Sequence, residues 1–134
     1  MFRLVPSADD LAAVPLFETL SVADREEVAS WCTDKTVEAG SRLIGEGAPG
    51  YSFFILTEGA AVVTRGATPV AELGPGDFFG EIAILGGGRR SASVTTTSRA
   101  TLLVMFASEF RRLQEAHPAI AARVEEAMRQ RLAT

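Results

Sequence analysis

The chain of 134 residues has one cysteine, one histidine and a single lysine, and each scarcity removes a class of function. Cys32 has no second cysteine with which to close an internal disulfide, so a reducing, cytoplasmic setting is expected. His117 alone cannot supply the clustered imidazoles of a metal-dependent cupin-type enzyme, so no metal centre is expected. Nor does it suit a serine or cysteine hydrolase, because it stands beside Pro118 at a predicted helix start, away from the β region. The only lysine, Lys35, is not preceded by the glycines of a P-loop. Positive charge is also short: Lys and Arg total 13 against 17 Asp and Glu, and the net charge of -4 argues against direct contact with nucleic acid. Long apolar runs are missing, so no membrane segment is expected, and the residues after Met1 lack the apolar core of a signal peptide. A chain of this length suits one domain over 1–134, whose folding buries roughly two thirds of its unfolded surface.

What is plentiful is glycine, with 12 residues placed mainly between short β-type runs. From Thr36 to Phe106, turn chemistry at 45–50, 58–59, 66–69, 74–77 and 86–88 separates candidate strands at 51–57, 60–65, 70–73, 92–97 and 101–106. Many short strands at that spacing predict a mainly β fold, a roll or jelly-roll barrel over 36–106. Phe53 to Leu56 is apolar on both faces and predicts an interior strand, whereas the alternation over 92–97 predicts a half-buried one. Gly74-Pro75-Gly76 suits a type II turn, read as scaffold.

Helical patterns flank the β region. Asp9-Asp10 before Leu11 predicts a short helix stopped at Pro15, and Ser21 with Asp24 resembles a capping box. Val28, Trp31 and Cys32 then share a stripe on a helix over 22–32, so that helices occupy 9–33. After Phe106, Ser108-Glu109 opens one helix and Pro118 a second, in which Ile120, Val124, Met128 and Leu132 recur every fourth residue. These C-terminal helices span 108–132.

The most informative stretch is 79–94, Phe79-Gly80-Glu81-Ile82-Ala83-Ile84-Leu85-Gly86-Gly87-Gly88-Arg89-Arg90-Ser91-Ala92-Ser93-Val94. If residues 81–85 form a helical turn, the unpaired N–H groups near Ile82 and Ala83 present the positive end of a dipole, where an oxyanion is welcome. The three glycines let the backbone double back, so the planar fork of Arg90 can meet the same anion and Ser91 can add donors. Glu81 would repel an anion and instead suits a neutral hydroxyl such as that of a ribose.

This arrangement resembles the phosphate-binding cassette of cyclic-nucleotide-binding domains, found in catabolite activator proteins, regulatory subunits of cAMP-dependent kinase and cyclic-nucleotide-gated channels. The resemblance extends from about Leu11 to Leu132. It implies a β-roll with a short cassette helix, an N-terminal helical segment and C-terminal lid helices. It assigns the ribose 2′-hydroxyl to Glu81, the cyclic phosphate to Arg90 and supporting contacts to Gly80, Ile82, Ala83, Ser91 and Ala92; Arg129 and Arg131 lie near where family lids offer a base-contacting residue, and Arg131 is the one taken here. The implied ligand is cAMP, with cGMP second; no cofactor beyond it and no catalysis are implied. Neither a helix-turn-helix nor a kinase, cyclase or channel segment is recognised, which leaves a homodimer and a fused or separate effector domain open as partners. The rival is a degenerate fold serving as an interaction or dimerisation module, against which Glu81 and Arg90 both speak.

Overall fold

Every residue from Phe53 to Leu56 and from Leu102 to Met105 is apolar, and strands of that kind must be covered on both faces. In the computed structural model, which describes residues 6–45, 52–80 and 92–133, three layers provide that cover. One sheet orders β1 (Thr33–Val37), β8 (Ala100–Phe106), β3 (Ser52–Glu58) and β6 (Phe78–Phe79). The other orders β2 (Arg42–Ile44), β7 (Ser93–Thr96), β4 (Ala61–Arg65) and β5 (Thr68–Leu73). The pairings are antiparallel throughout.

The strand period of two divides the apolar residues between two cores. Phe53, Ile55, Leu103 and Met105 face a helical layer and cluster with Phe17, Phe110, Leu113, Ile120 and Val124. Their chain neighbours Phe54, Leu56, Leu102 and Val104 face the second sheet and cluster with Ile44, Ala61, Leu73 and Val94. The β3–β8 register sets Phe53 opposite Met105 and Phe54 opposite Val104, so residues bound for the same core sit side by side. Each such side chain contributes roughly 1.5–3 kcal/mol on burial. The mainly β fold with flanking helices is therefore as the sequence implies.

The helical layer comprises α1 (Ala8–Ala12), a 3-10 turn (Pro15–Phe17), α2 (Val22–Ser30), α3 (Ala107–Ala116) and α4 (Pro118–Ala133). A reciprocal capping box starts α1: Ser7 Oγ accepts from the Asp10 N–H at 3.3 Å, and Asp10 Oδ2 accepts from the Ser7 N–H at 2.8 Å. Ser21 caps α2 by accepting from the Asp24 N–H at 3.1 Å. This helix ends at Ser30, short of the predicted 32. Trp31 is its C-cap and Cys32 lies beyond it, because Thr33 already pairs with Val104 in β1. The first strand thus begins three residues before the expected Thr36.

Among the described residues Thr96 is the buried polar one, and its hydroxyl both donates and accepts. It donates to the Glu38 carbonyl at 2.9 Å and accepts from the Ser41 N–H at 2.9 Å, tying β7 to the approach of β2. Thr96→Val keeps the shape but leaves the Ser41 N–H without its acceptor, while the Glu38 carbonyl keeps the Ser41 hydroxyl as a donor at 2.7 Å, so a loss of about 1–3 kcal/mol is expected. Urea titration checks it; an unchanged midpoint would mean that water replaces the hydroxyl.

Candidate functional site

The two flanks of the 79–94 motif are described, and they belong to different sheets. On the incoming side, β6 pairs with β3 through Phe54–Phe79 and Ile55–Phe78. The strand is only two residues long, yet each of its rings is seated on a different core. Phe79 stacks on Phe54 at 5.1 Å with 11° between planes, inside the inter-sheet core. Phe78 lies 5.6 Å from Phe53, whose other neighbour is Phe110 of α3 at 5.1 Å. The next residue, Gly80, has φ of 95°, a conformation that costs a side-chain-bearing residue strain and glycine nothing. On the outgoing side, Ala92 is half-buried, and Ser93–Thr96 then run between β2 and β4.

Of the predicted site residues, Gly80 and Ala92 are therefore placed at the two ends of the motif. Glu81, Ile82, Ala83, Arg90 and Ser91 lie outside the described residues. Arg131 falls in the last turns of α4, and its side chain lies outside the description.

The approach to β6 is fixed by hydrogen bonds around a turn visible in the sequence. Gly74-Pro75-Gly76 forms the expected type II turn: the Asp77 N–H donates to the Gly74 carbonyl at 3.1 Å and Gly76 has φ of 94°. The turn is stitched to β3, because the Gly76 N–H donates to the Leu56 carbonyl at 2.7 Å and the Leu56 N–H to the Asp77 carbonyl at 2.8 Å. It also abuts the helical layer. A Cβ on Gly76 would sit 3.1 Å from Pro15 Cδ, so the 3-10 turn rests directly against the loop that feeds the motif.

That 3-10 turn is in turn held by two arginines that sequence reasoning missed. Arg123 of α4 donates to the carbonyls of Pro15 at 3.2 Å and Leu16 at 3.1 Å. Arg25 of α2 donates to the carbonyls of Phe17 at 3.2 Å and Glu18 at 3.0 Å. Four consecutive carbonyls thus receive guanidinium donors from two helices. No sequence signal could reveal this, because every residue carries a carbonyl and the sequence shows Arg123 only as part of a polar helix face.

His117, between α3 and α4, places Nε2 3.3 Å from Glu27 Oε1 and its ring 6.4 Å from that of Trp31. Burial pushes the Cys32 thiol up to about 12, with the Glu109 charge adding to the shift, so the nucleophilic thiolate is suppressed. Among the described residues no group of His, Cys, Asp and Glu could hold a metal ion, and no helix is long and apolar enough to cross a membrane.

Residues 34–117 match the profile of the cyclic nucleotide-binding domain. The chain belongs to that family. A cyclic nucleotide-gated potassium channel of Mesorhizobium japonicum is 40% identical over 112 residues, which cover 83% of this chain and 31% of the channel. Among solved structures, cAMP-bound PfPKA-R superposes with a TM-score of 0.80 at 28% identity, covering 92% of this chain and 44% of that one. The catabolite activator protein of Thermus thermophilus gives a TM-score of 0.79 at 26% identity, covering 89% and 58%. This cyclic nucleotide-binding domain thus spans about a third of its channel relative. The three settings named by resemblance, cyclic-nucleotide-gated channel, regulatory subunit of cAMP-dependent kinase and catabolite activator protein, all recur among the proteins it is similar to.

Proposed function

We propose that residues 1–134 act as a single regulatory domain that binds a 3′,5′-cyclic mononucleotide without altering it, taking cAMP ahead of cGMP. The observation that carries this reading is the order Gly80-Glu81, glycine loop, Arg90-Ser91-Ala92 inside the matched region, entered through a positive-φ Gly80. In this reading Arg90 pairs with the cyclic phosphate, Glu81 takes the ribose 2′-hydroxyl, and Gly80, Ile82, Ala83, Ser91 and Ala92 line the cassette. The C-terminal helix α4 closes over the base and brings Arg131 to it. The module works in the cytoplasm and passes the signal to a fused or separate effector, as the channel and kinase settings of its relatives suggest.

The base preference follows from Ser91. A hydroxyl after the cassette arginine can reach the amino group of a syn guanine, but serine also serves cAMP-binding members, and threonine is the usual guanine mark. Calorimetric titration should therefore give tighter binding of cAMP, with cGMP measurable, and nucleotide recovered after long incubation should be unchanged. Tenfold tighter binding of cGMP would overturn the preference; conversion to the monoester would overturn the non-enzymatic reading.

A further inference from the structure

Two arginines on different helices converge on the 3-10 turn at Pro15–Phe17, and the other side of that turn rests on the loop leading into the 79–94 motif. So short a turn has too few internal hydrogen bonds to fix its own position. Leu16 and Phe17, 3% and 0% exposed, root it in the helix-facing core, but Pro15 is exposed and lies outside that anchor. From α2, Arg25 donates through Nε to the Phe17 carbonyl at 3.2 Å and through Nη2 to the Glu18 carbonyl at 3.0 Å. From α4, Arg123 donates through Nη1 to the Pro15 and Leu16 carbonyls. The ring of Pro15 then lies so close to Gly76 that a Cβ there would stand 3.1 Å from Cδ and 3.5 Å from Cγ. From Gly76 the path to the motif is short and fixed. Its N–H is bonded to the Leu56 carbonyl of β3, and Phe79 stacks on Phe54 just before Gly80 opens the motif.

We infer that the 3-10 turn is a fixed stop for the entry of the nucleotide site, and that Arg25 is a positioning residue for cyclic-nucleotide binding. The guanidinium clamp holds Pro15 against Gly76 and so sets where β6 delivers Gly80. The inference rests on the reading that the motif binds a cyclic nucleotide. The stop acts by staying in place: without the clamp, the turn leaves Gly76 for part of the time. Nucleotide then meets a correctly placed entry in only a fraction of molecules, and the apparent Kd rises as the inverse of that fraction. Each guanidinium contact is of modest strength, so losing one arginine loosens the seat without dismantling it. Arg25 is the informative member of the pair. It lies on α2, which carries no residue proposed to meet the nucleotide, whereas Arg123 shares α4 with Arg131.

Calorimetric titration of the full chain with cAMP, at a temperature where circular dichroism shows every variant folded, tests this. Arg25→Ala should raise the Kd about three- to tenfold, an ordinary size for a substitution that acts on a site without touching its ligand. Arg25→Lys, which keeps a charged donor, should recover part of the loss. Pro15→Ala trims the ring at Gly76 and leaves Arg25 intact, and it should weaken binding to a similar degree. Pro15 is exposed, so this variant keeps the core. The double variant should be little worse than either single one, since both act through one contact. A purely structural Arg25 would lower the melting temperature and leave the Kd at the wild-type value, and that result would overturn the positioning role. Additive losses in the double variant would overturn the route through Pro15. Absence of cAMP binding in the wild type would overturn the functional reading, and the inference with it.

Discussion

Arg90→Ala is expected to weaken cAMP binding by about 2–5 kcal/mol, roughly 30- to 4,000-fold in Kd. The cyclic phosphate keeps one negative charge, and in the proposed site that charge leaves water to meet a guanidinium fork. Removing the fork leaves a partly desolvated anion without its counter-charge, and this penalty, more than the lost contact, sets the size of the effect. Arg90→Lys should fall between, because an ammonium restores charge but not the planar pair of donors. Glu81→Ala should cost less, about 1–3 kcal/mol, since it removes a hydrogen bond to a neutral hydroxyl, and should shrink the preference for cAMP over its 2′-deoxy analogue. Arg89→Ala serves as the neighbouring control and should be nearly silent. Calorimetric titration of the four variants decides the matter; an Arg90→Ala affinity equal to wild type would refute the assignment.

How far the sequence reveals this molecule depends on where the determining contacts lie along the chain. Strands β3, β7 and β8 are readable because burial on one or both faces writes itself into consecutive residues, as in Phe53 to Leu56 or the alternation around Val94 and Thr96. The start of β1 is not readable, because Thr-Asp-Lys-Thr-Val is an edge strand with no buried residue, and its partner β8 lies far along the chain. The end of α2 was misplaced for the complementary reason: the apolar spacing of Val28, Trp31 and Cys32 continues past the point where strand pairing overrides it. The family was legible in an ordering of residue types that no bland turn requires, and the sequence match over 34–117 agrees with that family. The packing of α4 was legible only in part. Read from sequence, Ile120, Val124, Met128 and Leu132 make one uniform stripe, of which Ile120 and Val124 are buried in the helix-facing core and contribute roughly 1.5–3 kcal/mol each, while the side chains of Met128 and Leu132 lie outside the described residues. Arg123 reads from sequence as one of several solvated charges, yet it donates to the Pro15 and Leu16 carbonyls.

Phe110→Ala should destabilise the fold by about 3–5 kcal/mol, among the largest effects expected of a single substitution in the described core. Phe110 is 0% exposed, and its ring lies 5.1 Å from Phe53, which in turn lies 5.6 Å from Phe78. Truncation removes the transfer energy of the ring, leaves a cavity that helix and sheet close only in part, and forfeits an aromatic pair worth about 0.5–1.5 kcal/mol beyond area. The melting temperature should fall by on the order of 10–20 °C. Phe110→Leu, which keeps more of the volume, should lose less. The position also tests whether the aromatic row connects the helical layer to the cassette, since Phe78 is two residues from Gly80 in the chain. Saturating cAMP at a hundred times Kd adds about 2.7 kcal/mol to any form that binds as wild type does. Unfolding by urea with and without a fixed cAMP concentration should therefore show a smaller ligand increment for Phe110→Ala than for wild type, because Phe53 and Phe78 no longer hold the incoming side of the motif. Equal increments would confine Phe110 to the stability of the core, and a loss below about 1 kcal/mol would mean that helix and sheet re-close over the vacated site far better than their packing implies.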